Sequence, residues 1–459
     1  MRVKNILVKK LFGIFDHEIP LQSAERVTII HGPNGFGKTV ILKMIAGLVD
    51  GKTAIFEHVP FDEFSITLDD GTARIIRRYT DKDQQGRPQV RLEFLTRDAG
   101  GVVAPVAPLP APEIPRRVLS KVDQNVPGPY HLSGAGWVDD SGNSYSLDEI
   151  IEMFPRAAEA LPREYRIGRI FDISKDLQVF FVETNRLGAE TPTLRQTATL
   201  HNYYIGVSGE RPAELPTPRV RQYSDDIVQR IRTVLTDYAR HSQDRDRTFP
   251  ERLVRFVRDG YTKLPEREIL DRMADLENKR RRLISLALLD REGGLRDLTE
   301  EDVRRAPEAL TIYVGDIAEK LKVFDDLARR IGALVDIVNS RFKYKHLAVT
   351  REHGFRVFSG SNQPIDLQDL SSGEQNELVV LYELLFRGPT SGLILVDEPE
   401  ISLHVAWQSR FLSDLISILE PTDAYAIVAT HSPVIIGPRS DLAVELKGPD
   451  TAPGEVENA

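Results

Sequence analysis

Short runs of apolar and β-branched residues, separated by turn signals, fill the first hundred positions of the chain. NILV (5–8) and RVTII (26–30) predict strands on either side of a turn at Gly13. The apolar run VILKMIAGL predicts a helix from Thr39 to Leu48. Three further strands are predicted at FSITL (64–68), ARIIRRY (73–79) and VRLEFL (90–95). Residues 98–130 are rich in Pro, Gly, Ala and Val, which predicts an irregular surface loop.

A helical pattern replaces the strands from about residue 219 to 342. Its longest apolar stripe alternates steps of four and three and comprises Ile317, Leu321, Phe324, Ala328, Ile331, Val335 and Val338. This spacing is typical of a coiled-coil seam, and at 1.5 Å per residue it predicts a short arm of about 45 Å at most. A helical subdomain packed on the rest of the protein explains the stripe equally well, so both interpretations stay open.

Strand patterns return after residue 343 and restore the alternation seen at the start. The predicted strands after the helical region are KYKHLAV (343–349), FRVF (355–358), LILVD (393–397), YAIVAT (425–430) and LAVEL (442–446). One more strand, LQVFFV (177–182), is predicted before the helical region. The sequence therefore predicts an α/β fold that is split in two. Residues 1–218 and 343–459 would form the halves of one head, and residues 219–342 would be inserted between them.

Amino-acid composition excludes several kinds of site and partner. The 459 residues contain no cysteine, which excludes disulfides, zinc fingers and thiolate catalysis. The formal net charge of −9 gives no overall attraction for nucleic acid, so charge does not indicate DNA as a partner. Neither a secretory signal nor an apolar stretch long enough to cross a membrane is present, so we expect a cytoplasmic protein. The basic run Lys279–Arg282 is interpreted as a solvated helix face, with DNA contact as the alternative.

A glycine-rich motif follows the second predicted strand. It matches G-x-x-x-x-G-K-[ST], and its nucleotide-binding residues would be Gly32, Pro33, Asn34, Gly35, Phe36, Gly37, Lys38, Thr39 and Val40. The glycines let backbone N–H groups face phosphates, and the next helix points its positive end at them. Lys38 would reach the β- and γ-phosphates, and the Thr39 hydroxyl would bind Mg²⁺. The motif therefore predicts ATP and Mg²⁺ as ligands.

Two later motifs complete this prediction. The strand LILVD ends in Asp397 and Glu398, where Asp397 would bind Mg²⁺ and Glu398 would polarise the attacking water. LSSGEQ (370–375) opens a predicted helix, and Ser371, Ser372, Gly373 and Glu374 would form a second anion site at its N-terminus. Taken alone, the second motif is ordinary helix capping. Its place between a P-loop and an acidic strand end favours the anion site.

These motifs resemble those of ABC-type ATPases. LSSGEQ resembles the signature of SMC-like proteins, while DEPEISLH (397–404) and ATHSP (429–433) resemble the Walker B, D-loop and switch-histidine segments of RecF-like and OLD-like proteins. The resemblance covers roughly residues 1–60 and 340–440. It implies a split ABC-type P-loop ATPase head with an inserted helical or short coiled-coil arm.

The resemblance also implies a composite site in a homo-oligomer, at least a head-to-head dimer. Ser371 and Gly373 of one head would act on ATP held by Lys38 and Thr39 of the other. His431 would contact the γ-phosphate, so that Lys38, Glu398 and His431 form the catalytic set. The D-loop, Ser402 to His404, would cross the dimer axis.

Two positions depart from the usual family pattern. His404 stands where transporter-type D-loops have Asp, and Asn185 stands where a Q-loop glutamine is usual, as a further implied Mg²⁺ ligand. Phe12 and Phe15 are candidates for adenine stacking, although core packing is the expected role of each.

The biological role rests on resemblance alone. The chain is similar to stand-alone anti-phage defence ATPases such as the ATPase subunit of the PARIS system, which implies a separate effector protein, with a nuclease as one candidate. The alternative is an SMC-like DNA-repair ATPase that clamps DNA. A transporter subunit is disfavoured by the long helical insertion.

Overall fold

The computed structural model describes fifteen stretches of the chain. They are residues 1–21, 25–51, 54–82, 88–106, 114–126, 130–134, 136–139, 143–145, 147, 150, 154, 177–183, 219–291, 299–401 and 403–448. The chain forms two compact units. The first unit comprises Met1–Thr184, Gly388–Ile401 and Gln408–Ala459, and the second comprises Asn185–Arg387 and Ser402–Trp407.

The described strands and helices follow one another in chain order. The strands are β1 Val3–Leu11, β2 Phe15–Pro20, β3 Val27–His31, β4 Glu63–Leu68, β5 Ala73–Lys82, β6 Pro88–Arg97, β7 Val103–Pro105, β8 His131–Ser133, β9 Gly136–Val138, β10 Ser144–Tyr145, β11 Val179–Val182, β12 Lys345–Thr350, β13 Gly354–Ser359, β14 Pro364–Ile365, β15 Ser391–Asp397, β16 Asp423–Thr430 and β17 Ala443–Glu445. The helices are α1 Lys38–Asp50, α2 Ala54–His58, α3 Arg116–Asp123, α4 Arg219–Arg258, α5 Glu266–Ser285, α6 Glu300–Arg305, α7 Pro307–Lys322, α8 Asp325–Asn339, α9 Ser372–Tyr382, α10 Val405–Leu419 and α11 Pro433–Ile436.

A parallel sheet forms the centre of the first unit. Its five strands lie in the order β11-β15-β16-β3-β17, and every neighbouring pair is parallel. The central strands β15 and β16 are buried at every position after the first, as expected where both faces of a sheet are covered. Helix α1 contacts the sheet and packs its apolar residues into the same core. The predicted α/β class is confirmed.

A second sheet of the first unit is antiparallel. Its order is β2-β1-β4-β5-β6-β7, with consecutive hairpins from β4 to β7. Inward residues of β1 alternate with outward ones, so that Ile6 and Val8 are fully buried while their neighbours face solvent at least in part. This alternation is the pattern that made the strands predictable.

The predicted loop at 98–130 is wrong over part of its length. Val103–Pro105 pairs with β6, and Arg116–Asp123 forms α3. Val118, Leu119 and Val122 lie on one face of α3 and pack with the fully buried Trp137. These three apolar residues have helical spacing, but the Pro-rich composition of the segment as a whole predicted a loop. Residues 107–113 and 127–129 lie outside the described residues.

The helical region begins with a long helix. Helix α4 has 40 residues, which corresponds to about 60 Å at 1.5 Å per residue. It runs antiparallel to α7, because Tyr238 contacts Phe324 while Arg252, further along α4, binds Asp316 at 2.6 Å. Asp316 is buried, so this ion pair lies at the contact between the two helices.

The apolar stripe from Ile317 to Val338 does not lie on one continuous helix. Val323 and Phe324 separate α7 from α8, and the amide of Phe324 donates to the carbonyl of Leu321, an i to i−3 bond that tightens the chain there. Phe324 is fully buried. The stripe is thus apolar because both helices face a core.

Strands β12 and β13 pack with these helices in the second unit. The Asn339 side chain of α8 bonds both the amide and the carbonyl of Leu347, at 2.6 and 3.0 Å. The Ser224 hydroxyl of α4 accepts from the amide of Phe355 at 2.8 Å. The compact units therefore group residues 343–387 with the helices, whereas the division at 218 and 342 stays a prediction.

The basic run on α5 is engaged in ion pairs. Lys279 pairs with Asp325 at 2.5 Å, and Arg280 and Arg281 lie 3.8 and 3.7 Å from Glu277. Arg281, at 68% exposed, agrees with a solvated helix face, whereas the side chain of Arg280 is only 11% exposed. In the described part of the chain, no helix combines the length and the apolarity that a membrane crossing requires.

Candidate functional site

The P-loop connects β3 to α1 in the first unit. Gly35 and Gly37 both have a φ of 88°, a left-handed conformation that favours glycine. A Cβ atom built on Gly37 would lie 2.4 Å from Cδ2 of Leu11, so the backbone of the loop approaches β1 too closely for a side chain. Residues at these two positions are therefore restricted by the fold as well as by phosphate chemistry.

Lys38 is buried at the first turn of α1. Its Nζ donates to the carbonyl oxygens of Gly32 at 2.7 Å and of Pro33 at 3.1 Å. The side chain therefore holds the beginning of the loop to its end. This places the ammonium group at the loop whose N–H groups are predicted to receive phosphate.

Thr39 and Asp397 come together although they lie 358 positions apart. The Thr39 hydroxyl is 3.0 Å from each carboxylate oxygen of Asp397, which is almost fully buried at the end of β15. A hydroxyl and a carboxylate are ligands that Mg²⁺ accepts together with phosphate oxygens and water. The described residues contain no group of three His, Asp or Glu able to hold a metal alone. The pair fits Mg²⁺ that arrives with a nucleotide.

Glu398 turns the chain immediately after β15. Its φ of 43° is uncommon for a residue with a side chain, and strain of this kind concentrates at functional sites. Its amide donates to the carbonyl of Ala429 at 2.8 Å, which ties it to the neighbouring strand β16. The side chain of Glu398 is 22% exposed, and one carboxylate oxygen is 3.9 Å from Nδ1 of His431.

A residue without a predicted role, Glu400, contacts the predicted switch histidine. One carboxylate oxygen of Glu400 accepts from the Thr430 hydroxyl and from the His431 amide, both at 2.8 Å. The same oxygen is 3.0 Å from Nδ1 of His431. Glu400 is the third acidic residue of DEPE (397–400), and no sequence pattern marked its contact with His431.

A second residue missed from the sequence lies beneath the P-loop. Nε2 of the buried His17 is 3.0 Å from the carbonyl oxygen of Phe36. Burial lowers the pKa of His17, although the Phe36 carbonyl and nearby Asp16 favour its protonated form. Neutral His17 can therefore donate to the loop. Phe15 packs between these residues, with ring centroids 4.9 Å from Phe36 and 5.6 Å from His17.

The two aromatic candidates of the first strands differ. Core packing is confirmed for Phe15, which is buried. It is wrong for Phe12, which is 40% exposed and has a φ of 54°. The turn at Gly13 explains the difference, because it brings Phe12 out of the alternation of β1. Adenine stacking by Phe12 stays a prediction.

The signature segment lies at the start of α9, in the second unit. Ser371 is the N-cap: its hydroxyl accepts from the amide of Glu374, and the Glu374 carboxylate accepts from the amide of Ser371. Lys345 binds the same carboxylate at 2.9 and 3.0 Å. Burial raises the pKa of Glu374, but the bonds from Lys345 and Ser371 outweigh it and bring the pKa below its usual value. Ser371 and Ser372 are exposed.

Behind this exposed start, α9 is held by buried polar contacts. Glu377 forms an ion pair with Arg341, and both side chains are almost fully buried. Where α9 continues as a π-helical turn over Glu383–Arg387, Tyr223 donates to Glu383 at 2.6 Å. Burial, followed by the charge of Glu383, raises the pKa of Tyr223 to about 12, so Tyr223 stays the donor. The first contact holds α9 to the segment after α8, and the second holds its continuation to α4.

Two predicted site residues lie outside the described residues. They are Asn185, the proposed Q-loop position, and Ser402, the first residue of the D-loop. His404 is described and exposed, and its Nδ1 accepts from the amide of Ala406 at 3.2 Å. The structure thus brings together Lys38, Thr39, Asp397, Glu398 and His431 in one unit, while the signature belongs to the other.

Comparison with known proteins finds a family match largely within the second half of the chain. Residues 217–437 match an AAA domain family, AAA_21, whose description refers to the AbiEii toxin of type IV toxin–antitoxin systems. The match includes the signature, the acidic strand end and His431, and it leaves out the P-loop. Together with the geometry around Thr39 and Asp397, it supports a P-loop ATPase of the AAA type.

Other similarities are more limited. Protein ea59 of Escherichia phage lambda is 39% identical over 67 residues, which is 15% of this chain and only 13% of that protein's length. An SMC head domain of Pyrococcus furiosus, solved with the C-terminal domain of ScpA, is 13% identical with a TM-score of 0.31 over 97% of this chain and 94% of that one. The SMC head domain of Thermotoga maritima gives 12% and 0.29 over 96% and 92%. TM-scores this low do not establish a shared fold.

Proposed function

We propose that the chain binds ATP with Mg²⁺ and hydrolyses ATP at a composite site built by two copies of itself. The observation that carries the proposal is the contact of Thr39 with Asp397, which unites the P-loop with the acidic end of β15. Lys38 would bind the β- and γ-phosphates, Glu398 would accept a proton from the attacking water, and His431 would contact the γ-phosphate. Bound Mg²⁺ would neutralise phosphate charge.

The second copy of the chain would supply its signature segment (370–375) to the composite site. Ser371 and Ser372 are exposed at the N-terminus of α9, where free N–H groups and the helix dipole attract an anion. The γ-phosphate of ATP bound to another copy fits this site. ATP would then join two heads, and hydrolysis would release them.

Complementation of two inactive variants tests the composite site. Lys38→Ala removes phosphate binding, and Ser372→Glu places a negative charge at the signature while favouring the helix itself. Each variant alone should be inactive. Their equimolar mixture should recover about one quarter of the parent turnover, because half of the randomly formed dimers keep one intact site of two. A mixture that stays inactive contradicts the proposal.

Two measurements complete the test. Glu398→Gln should bind ATP, hydrolyse it slowly and accumulate joined heads in gel filtration. Turnover per molecule of the parent should rise with protein concentration. Lys43→Ala, which changes an exposed lysine of the same helix, is the control for Lys38→Ala and should keep parent activity. Unchanged nucleotide affinity of Lys38→Ala would falsify the P-loop assignment.

The biological role is a further part of the proposal. We infer an anti-phage defence role, in which joined heads hold a separate effector until a trigger arrives. The matched family is named for a toxin of toxin–antitoxin systems, and the relative ea59 belongs to a phage, and both agree with a role in phage defence. Pull-down of the Glu398→Gln variant with ATP should retain the effector. ATP turnover stimulated by DNA would instead support the clamp alternative.

A further inference from the structure

A buried carboxylate joins the segment after β15 to the end of β16. The side chain of Glu400 is 5% exposed, and one of its oxygens accepts from the Thr430 hydroxyl and the His431 amide. Its other oxygen is buried without a hydrogen-bond partner in the described part of the chain. A buried charge that is only half satisfied is costly, so the two bonds to β16 do not explain why a carboxylate is present.

The imidazole of His431 offers a reason for a carboxylate at position 400. Nδ1 of His431 lies 3.0 Å from the same oxygen of Glu400 and 3.9 Å from an oxygen of Glu398. An ionised carboxylate only accepts hydrogen bonds, so the closeness of Nδ1 to these oxygens favours the tautomer that carries the proton on Nδ1. Nε2 then remains for an external group.

We propose that Glu400 is a positioning residue: it fixes His431 as the Nδ1–H tautomer and orients the ring so that Nε2 meets the γ-phosphate. The inference rests on the proposed function of His431. A carboxylate that holds a catalytic histidine in one tautomer is an established arrangement in hydrolases. Here the carboxylate comes from the segment that leads to the D-loop, three residues after Asp397.

A substitution at Glu400 can be made without losing the connection between these segments. Gln408 donates to the carbonyl of Glu400 at 3.3 Å and accepts from the Ser432 hydroxyl at 2.9 Å. Ser432 in turn donates through its amide to the Thr430 hydroxyl at 2.9 Å. Glu400→Gln also keeps a side-chain oxygen for Thr430 and the His431 amide. We therefore expect this variant to fold.

A double-mutant cycle on turnover separates positioning from a structural role. Glu400→Gln should lower kcat about 10²-fold and change KM less than about threefold. Combined with His431→Gln, it should cause no further loss, because it acts through that histidine. Glu400→Asp should recover part of the turnover. Glu420→Gln, an equal charge change at an exposed site, should match the parent. Parent kcat in Glu400→Gln, or additive losses in the double variant, would overturn the proposal.

Nitrogen NMR of the histidine-labelled protein tests the tautomer without any turnover. His431→Gln identifies the signal, which should show a protonated Nδ1 in the parent and a mixture of tautomers in Glu400→Gln. A mixture in the parent overturns the proposal. A fixed Nδ1–H tautomer in a protein without ATP turnover would instead contradict the proposed function and leave the tautomer assignment standing.

Discussion

Two glycines of the P-loop offer a matched pair of substitutions. Gly35 and Gly37 have the same φ of 88°, so alanine at either position must adopt the same unfavourable backbone conformation. Their surroundings differ. A Cβ on Gly35 meets nothing within 4 Å, whereas a Cβ on Gly37 lies 2.4 Å from Cδ2 of Leu11 and 3.4 Å from a ring atom of Phe12. The difference between the two alanine variants therefore isolates the overlap.

The expected losses of folding free energy follow from backbone strain and from steric overlap. Left-handed backbone costs a residue with a side chain about 1–2 kcal/mol, which is the whole expected effect of Gly35→Ala. Overlap in a packed core costs about 1–3 kcal/mol more. Leu11 is fully buried and has little room to move away. Gly37→Ala should therefore lower the free energy of unfolding by about 2–5 kcal/mol in total.

Urea unfolding of the nucleotide-free variants, followed by circular dichroism, measures both effects. Hydrogen exchange of the α1 amides provides a local measure, since Gly37 immediately precedes that helix. Leu11→Ala should remove most of the extra cost in Gly37→Ala, although it destabilises the parent. Equal midpoints for Gly35→Ala and Gly37→Ala would refute the overlap argument.

Two other predictions concern buried polar groups. His17→Phe should destabilise the protein by about 1 kcal/mol through loss of the Phe36 bond. Because burial lowers the pKa of His17, the unfolded chain binds the proton first, so the parent loses stability as pH falls below about 6.5. His17→Phe should lack this part of the slope, and equal slopes in unfolding midpoints would contradict it. Arg341→Met should cost about 3–5 kcal/mol because Glu377 stays buried without its cation, and replacing both by Met should recover most of it in the same assay. Burial already raises the pKa of Glu377 to about 7, so the Arg341→Met variant should lose stability as pH rises through this range.

Features that depend on local spacing were predictable. The P-loop needs glycine at fixed intervals. A buried parallel strand is a continuous apolar run, and the predicted site residues follow its carboxyl end. The strands β15 and β16 and the helix α1 therefore lie where the pattern placed them. The contact of Thr39 with Asp397 follows too, because the carboxyl ends of β3 and β15 lie at one edge of the parallel sheet.

Features that depend on tertiary contacts were not predictable. His17 contacts the P-loop across 19 positions, and Glu400 meets the His431 amide across 31, so no local pattern marks either residue. The stripe from Ile317 to Val338 also satisfies a heptad pattern, although it is divided between two helices. Heptad spacing identifies the apolar face of a helix. That face can pack against a protein core as well as against a second helix of a coiled coil.

The position of Glu400 bears on how assembly and hydrolysis could be coupled. Asp397, Glu398 and Glu400 belong to one short segment, and four residues further along the chain stands His404, which resemblance places at the dimer axis. The His431 ring lies against Glu400, which belongs to this segment. With Glu400 as its support, loss of the carboxylate should lower the turnover of assembled heads while leaving ATP binding by a single head unchanged.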